Sequence, residues 1–108
     1  MKISDLVFTG FNRNVAALDK RTGAIVWQWK APRGRTYVTL LLDGSVLIVS
    51  VDGYMYGLNG LTGEELWRNE MTGFGTGVAS LASVNGSAQN SSAAAAMNAA
   101  AAAAAAST

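Results

Sequence analysis

Ala17-Leu18-Asp19-Lys20-Arg21-Thr22-Gly23-Ala24-Ile25-Val26-Trp27 and Gly57-Leu58-Asn59-Gly60-Leu61-Thr62-Gly63-Glu64-Glu65-Leu66-Trp67 are two copies of one pattern. Thr22-Gly23 returns as Thr62-Gly63 and Trp27 as Trp67; subtracting 22 from 62 gives an offset of 40, and no gap is needed. Leu18 falls on Leu58 and Asp19 on Asn59. Self-similarity at a period of roughly 20 to 50 residues marks a supersecondary unit that stacks on copies of itself. Within each copy an apolar run stops at Asp or Asn, whose short side chain bonds nearby backbone, and a Gly supplies the positive φ that closes a tight turn. A second run then leads to Trp.

Working outward, the unit reads as four short strands, here lettered A to D. Leu6-Val7-Phe8-Thr9 and Val46-Leu47-Ile48-Val49 are compact apolar runs followed by turn formers, Gly10 to Asn14 and Asp52-Gly53, and read as buried B strands. Val15 to Leu18 and Tyr54 to Leu58 are the C strands, and Ala24 to Trp29 and Glu64 to Trp67 the D strands. Tyr37 to Leu42 running into Asp43-Gly44 is an A strand with a hairpin signal. Gly77 to Val84 running into Asn85-Gly86 starts the pattern a third time, and no strand is expected after it. The chain is therefore expected to be all-β, with strands in the order B-C-D, A-B-C-D, A. This is two four-stranded units permuted by one strand, over residues 1–86. Residues 87–108 are Ser, Asn and Gln followed by Ala, and read as a low-complexity tail that is disordered or forms a short helix.

Composition narrows the chemistry. The 108 residues contain no Cys and no His, which removes disulfides, thiolate or imidazole metal sites, and the Ser-His and Cys-His dyads. With 8 Lys plus Arg against 7 Asp plus Glu, the net charge of +1 gives no electrostatic footprint for nucleic acid or an anionic membrane. Ala occupies twelve of the fourteen positions from Ala93 to Ala106, so the folding part is nearer 85 residues and forms one domain. A domain that small buries a modest core and generally needs staples or partners. The first residues, Met1 to Leu6, lack the apolar core of a secretory signal, and the chain as written reads as cytoplasmic.

The eleven residues Ala17 to Trp27 resemble the tryptophan-docking motif, A-x-D-x-x-T-G-x-x-x-W, of quinoprotein (PQQ-type) β-propellers, at every defined position. The second copy keeps Thr62, Gly63 and Trp67 but carries Gly57 for Ala and Asn59 for Asp. The resemblance covers about residues 5 to 84. It implies that the units are propeller blades, that Ala17, Asp19, Thr22, Gly23 and Trp27 with Gly57, Asn59, Thr62, Gly63 and Trp67 are structural, and that each Trp lies between adjacent blades over the Gly of a neighbouring turn. Trp29 has no counterpart at Asn69 and reads as an edge residue or a contact. Quinoprotein dehydrogenases are far longer and draw metal and quinone ligands from several blades. No acid here can be placed on such a ligand, so no catalytic, cofactor-binding or metal-binding residue is assigned and no cofactor is expected. Family members are often periplasmic or extracellular.

Two blades cannot close a ring, and repeat units need neighbours to cover their faces. The expected partner is the chain itself. The spare A strand of one copy would complete the first blade of the next in a head-to-tail contact, which closes when the rotation fits, with four copies favoured over three. In a propeller the D-to-A and B-to-C loops share one face. That places Lys30, Arg33 and Arg35 with Arg13 and Asp52 around one mouth, where repeated arginines would hold an acidic or anionic ligand if they are not simply solvated. The expected function is a non-enzymatic, self-assembling binding or scaffold module. The alternatives are a remnant or minimal form of a quinone-dependent dehydrogenase and a structural filament that fails to close.

Overall fold

A computed structural model describes residues 1–89. After a 3-10 turn at Ile3–Asp5 the described chain is all strand and turn: β1 (Leu6–Phe11), β2 (Asn14–Asp19), β3 (Ile25–Lys30), β4 (Val38–Asp43), β5 (Val46–Val51), β6 (Tyr54–Asn59), β7 (Glu65–Asn69), β8 (Ser80–Ser83) and β9 (Gly86–Gln89). They form three antiparallel sheets, β1-β2-β3, β4-β5-β6-β7 and β8-β9. The first is a blade without its A strand and the second is a complete blade. Both B-to-C hairpins turn in two residues with positive φ, Asn12 (49°) and Arg13 (60°) in the first blade, Asp52 (53°) and Gly53 (100°) in the second. Two successive positive φ values match the right-handed twist of the strands they join.

The third sheet departs from expectation. No strand was expected after Val84, yet β9 follows and pairs with β8, so the described order is B-C-D, A-B-C-D, A-B and the boundary at residue 86 falls inside a strand. The reason is that hairpin pairing needs only a short turn, here Val84-Asn85 between Ser83 and Gly86, and makes no demand for apolar side chains. Gly86-Ser87-Ala88 lacks the alternation by which a half-buried strand is recognised. Both A-to-B turns also sit one residue away from where they were read: Asp43 pairs with Val46 across Gly44-Ser45, one residue later, and Ser83 with Gly86 across Val84-Asn85, one residue earlier. The expected disorder or helix of the Ala-rich run lies outside the described residues.

Period-2 alternation decides which face of each blade is buried. Leu47, Val49 and Val51 on β5 turn one way and, with their cross-strand neighbours Leu58 and Tyr56 on β6, meet Val15, Ala17 and Trp27 of the first blade in one cluster. Burying these side chains is the main favourable term, on the order of 1.5–3 kcal/mol for each large one.

Trp27 reaches across that interface. Its indole Nε1 donates to the Gly60 carbonyl at 2.9 Å, in the turn between β6 and β7. The ring lies over Gly63, where an added Cβ would approach it to 2.6 Å, and φ there is +80°. Only glycine fits both the conformation and the contact. Just before each Trp the ladder slips: Ala17 pairs with Trp27 but Leu18 with Ile25, and Gly57 with Trp67 but Leu58 with Glu65. The bulge leaves Val26 or Leu66 as the extra residue and re-aims the following side chain.

Replacing Trp27 by Ala should therefore cost about 3–5 kcal/mol of unfolding free energy, the usual cost of truncating a large buried aromatic. Urea titration followed by circular dichroism measures it, and a loss below ~1 kcal/mol would contradict the packing described.

Candidate functional site

The loop face is built by short-range backbone chemistry. The Asp52 carboxylate accepts from three successive amides, Arg35 (2.6 Å), Thr36 (3.2 Å) and Tyr37 (3.0 Å). Asp52 thus fixes the strand-connecting loop between β3 and β4, and its charge is committed there. Arg13 is committed in a similar way, since its Nε and Nη2 both donate to the Ala31 carbonyl at 3.0 and 2.8 Å. Arg33 faces Glu70 at 3.1 Å in an exposed ion pair, an interaction worth ~1 kcal/mol at most in water. The five loop residues expected at one mouth do share neighbouring loops, because Ala31 bonds Arg13 and residues 35–37 bond Asp52. Lys30 and Arg35 are exposed, and their side chains have no partner among the described residues.

Beneath this face lies a contact that sequence reading passed over. The Tyr56 hydroxyl accepts from the Arg33 amide and donates to the Arg33 carbonyl, each at 3.1 Å, and the Tyr56 ring meets Trp29 edge-on with centroids 4.8 Å apart. Trp29 is therefore a contact between blades. The available signal was that both residues break the repeat: Trp29 aligns with Asn69 and Tyr56 with Ala16, two paired departures at one interface.

Six of the ten motif residues, Asp19, Thr22 and Gly23 with Asn59, Thr62 and Gly63, form two turns of the same design, and the other four lie on the flanking strands. Asp19 N–H bonds Ala24 O (2.8 Å) as Asn59 N–H bonds Glu64 O (2.7 Å), and Gly23 and Gly63 N–H bond Asp19 O and Asn59 O at 2.7 Å each. The Asp19 and Asn59 side chains cap the Arg21 and Leu61 amides at 2.9 Å, and the Thr22 and Thr62 hydroxyls accept from Ala24 (3.2 Å) and Glu64 (3.3 Å).

The two tryptophans differ. Trp27 is 9% exposed over the second turn, whereas Trp67 is 43% exposed. Trp67 lies against its cross-strand partner Gly57, where a Cβ would fall inside the ring. It lines a groove of about 560 Å³ with Met55, Met71, Phe74, Val78 and Leu81. This groove runs between the second blade and the third sheet, which is anchored by Thr39 Oγ1 donating to Ala79 O (3.1 Å) and Asn85 Nδ2 donating to Asp43 Oδ1 (2.5 Å). Among the described residues no group of three Asp or Glu is arranged to hold a metal ion.

Antiparallel blades of this length, stacked face to face with a Trp-bearing outer strand, define a β-propeller repeat module. Residues 4–107 match the PQQ-repeat family model described as "Outer membrane protein assembly factor BamB", and the chain belongs to that family. No curated protein matches the chain.

Burial raises the Tyr56 phenol above its ordinary value of 10.0. The folded state then holds the proton more tightly than the unfolded one. The resulting stabilisation is complete below about pH 10 and is lost as pH rises through the folded-state value. Tyr56→Phe should cost ~1 kcal/mol at neutral pH, the usual net worth of such hydrogen bonding. The gap to the native chain should narrow above about pH 10, as a pH series of urea midpoints will show. A gap independent of pH would contradict the account.

Proposed function

We propose that this chain is a non-enzymatic, self-assembling β-propeller module that serves as a binding or scaffold unit, closing head to tail into a ring of four copies in preference to three. The single observation that carries the proposal is the mismatch of strands at the two ends of the described chain. The β1-β2-β3 blade has no A strand, while β8 is an A strand with no complete blade. In the assembly, β8 of one copy pairs with β1 of the next, and β9 gives way. The exchange is favourable because β1 offers Leu6, Val7, Phe8 and Phe11 to cross-strand packing where β9 offers Gly86, Ser87 and Ala88. Val7 and Phe11 are exposed in the single chain, which fits a strand awaiting a neighbour.

The family description, that of an outer membrane protein assembly factor, favours a scaffold over a dehydrogenase and a location outside the cytoplasm. With Arg13, Arg33 and Asp52 engaged locally, the groups left to recognise an acidic or anionic partner at the mouth are Lys30 and Arg35, multiplied by the ring.

Light scattering of the full chain should give a discrete three- or four-fold multiple of 11.2 kDa. Deleting residues 90–108 should leave that multiple unchanged, and deleting 78–108 should abolish it. A monomeric full chain overturns the proposal.

A further inference from the structure

We propose that Asn85, in the turn at the tip of the third sheet, is a deamidation site, and that its conversion to a carboxylate undocks that sheet from the second blade. The step needs only the chain and water.

The described chain holds two Asn-Gly dipeptides, Asn59-Gly60 and Asn85-Gly86. Asn followed by Gly is open to ring closure, because glycine puts no side chain in the way of its own amide nitrogen and lets the backbone bend toward the side chain before it. The Gly nitrogen gives its proton to solvent and attacks Cγ of the Asn. An N–Cγ bond forms, the Cγ–Nδ2 bond breaks, and ammonia leaves with a proton taken from water. Water then opens the succinimide at either carbonyl, leaving aspartate or isoaspartate. Overall, one water is consumed and one ammonia released, with no change of oxidation state.

The fold treats the two dipeptides oppositely. At Asn59-Gly60 the groups that must move are held. Asn59 Oδ1 accepts from the Leu61 and Thr62 amides (2.9 and 3.3 Å), the Gly60 N–H bonds Ser45 O at 2.8 Å, and the Gly60 carbonyl receives the Trp27 indole. Gly60 is buried. At Asn85-Gly86 both residues are exposed, and the preceding Val84 is wholly so. Among the described residues the Asn85 side chain is held at its amide nitrogen alone, by Asp43, and a Cβ placed on Gly86 would meet only Leu41 Cδ1, at 3.9 Å. Gly86 does pair with Ser83, but in a sheet of two short strands. Such a hairpin is marginal in water, and local opening there costs little. On assembly, where β9 gives way, the site is freer still.

The product reverses a contact. Asn85 Nδ2 donates to Asp43 Oδ1 at 2.5 Å and, with the Thr39 bond to Ala79 O, anchors the third sheet on the second blade. After conversion two carboxylates meet at that point, and neither has a proton to donate while both are ionised. Like charges so placed repel. Isoaspartate also adds a carbon to the main chain of a two-residue turn.

Incubating the full chain at mildly alkaline pH, natively and in urea, tests the site. Trypsin then separates residues 36–68, which carry Asn59, from residues 69–108, which carry Asn85. Tandem mass spectrometry locates the amide-to-carboxyl mass gain. In the native chain Asn85 should convert on the order of 10-fold faster than Asn59, reflecting the difference in local opening, and in urea the two rates should converge. Native conversion at Asn85 no faster than at Asn59 overturns the site, as does a difference that persists in urea. Undocking is read from Asn85→Asp by amide hydrogen exchange of residues 80–83, with circular dichroism confirming the fold. Exchange should quicken on the order of 10-fold. Adding Asp43→Asn, which gives the new carboxylate a donor, should restore the protection. Unchanged exchange in the single variant, or quickened exchange that the second substitution does not reverse, overturns the undocking.

Discussion

One indole against one turn organises this molecule. Two antiparallel sheets of modest size have little reason to hold a fixed angle, because apolar contact is not directional. Trp27 supplies the missing direction. Its flat face needs a backbone without a side chain, which Gly63 provides, and its N–H needs an acceptor, which Gly60 O provides. Both groups sit on a turn whose shape is fixed by Asn59 and Thr62 side chains bonding the local amides. The interface is therefore a polar turn used as a rigid seat for an aromatic plate, with Trp29 and Tyr56 as a second point of attachment near the loop face.

Repetition turns that local device into a question of assembly. In a pair of units where the Trp of one covers the turn of the other, one turn and one Trp are left over. Trp67 is the more exposed of the two motif tryptophans, and among the described residues nothing lies within 4 Å of a Cβ placed on Gly23. Gly57 in place of the first copy's Ala17 lets Trp67 rest on the neighbouring strand, which lessens the apolar surface presented to water.

Much of this was legible in the sequence, because the features involved are local. The forty-residue offset, the Asx and Thr-Gly turns and the compact apolar runs each report a backbone requirement carried by the residue itself. What stayed hidden depends on neighbours distant in the chain. The bulge before each Trp follows from ladder pairing, and Val26 and Leu66 look like ordinary strand residues. Arg13 adopts φ of 60° with its guanidinium on Ala31 O, although Arg carries no signal for either. Asp52 reads as one of the loop residues around the mouth, and its ties to the amides of residues 35–37 leave no trace in the sequence. The β8-β9 hairpin was missed because the pairing between its strands is made by the backbone, and polar small residues leave no periodic trace.

The most direct test is nuclear magnetic resonance of the Trp27 indole and the Gly63 α-protons. An aromatic face stacked on a glycine should shift at least one α-proton strongly upfield, and an indole N–H bonded to a buried carbonyl should exchange slowly with solvent. Gly63 α-protons at ordinary shifts, together with a Trp27 N–H that exchanges like an exposed indole, would contradict the account.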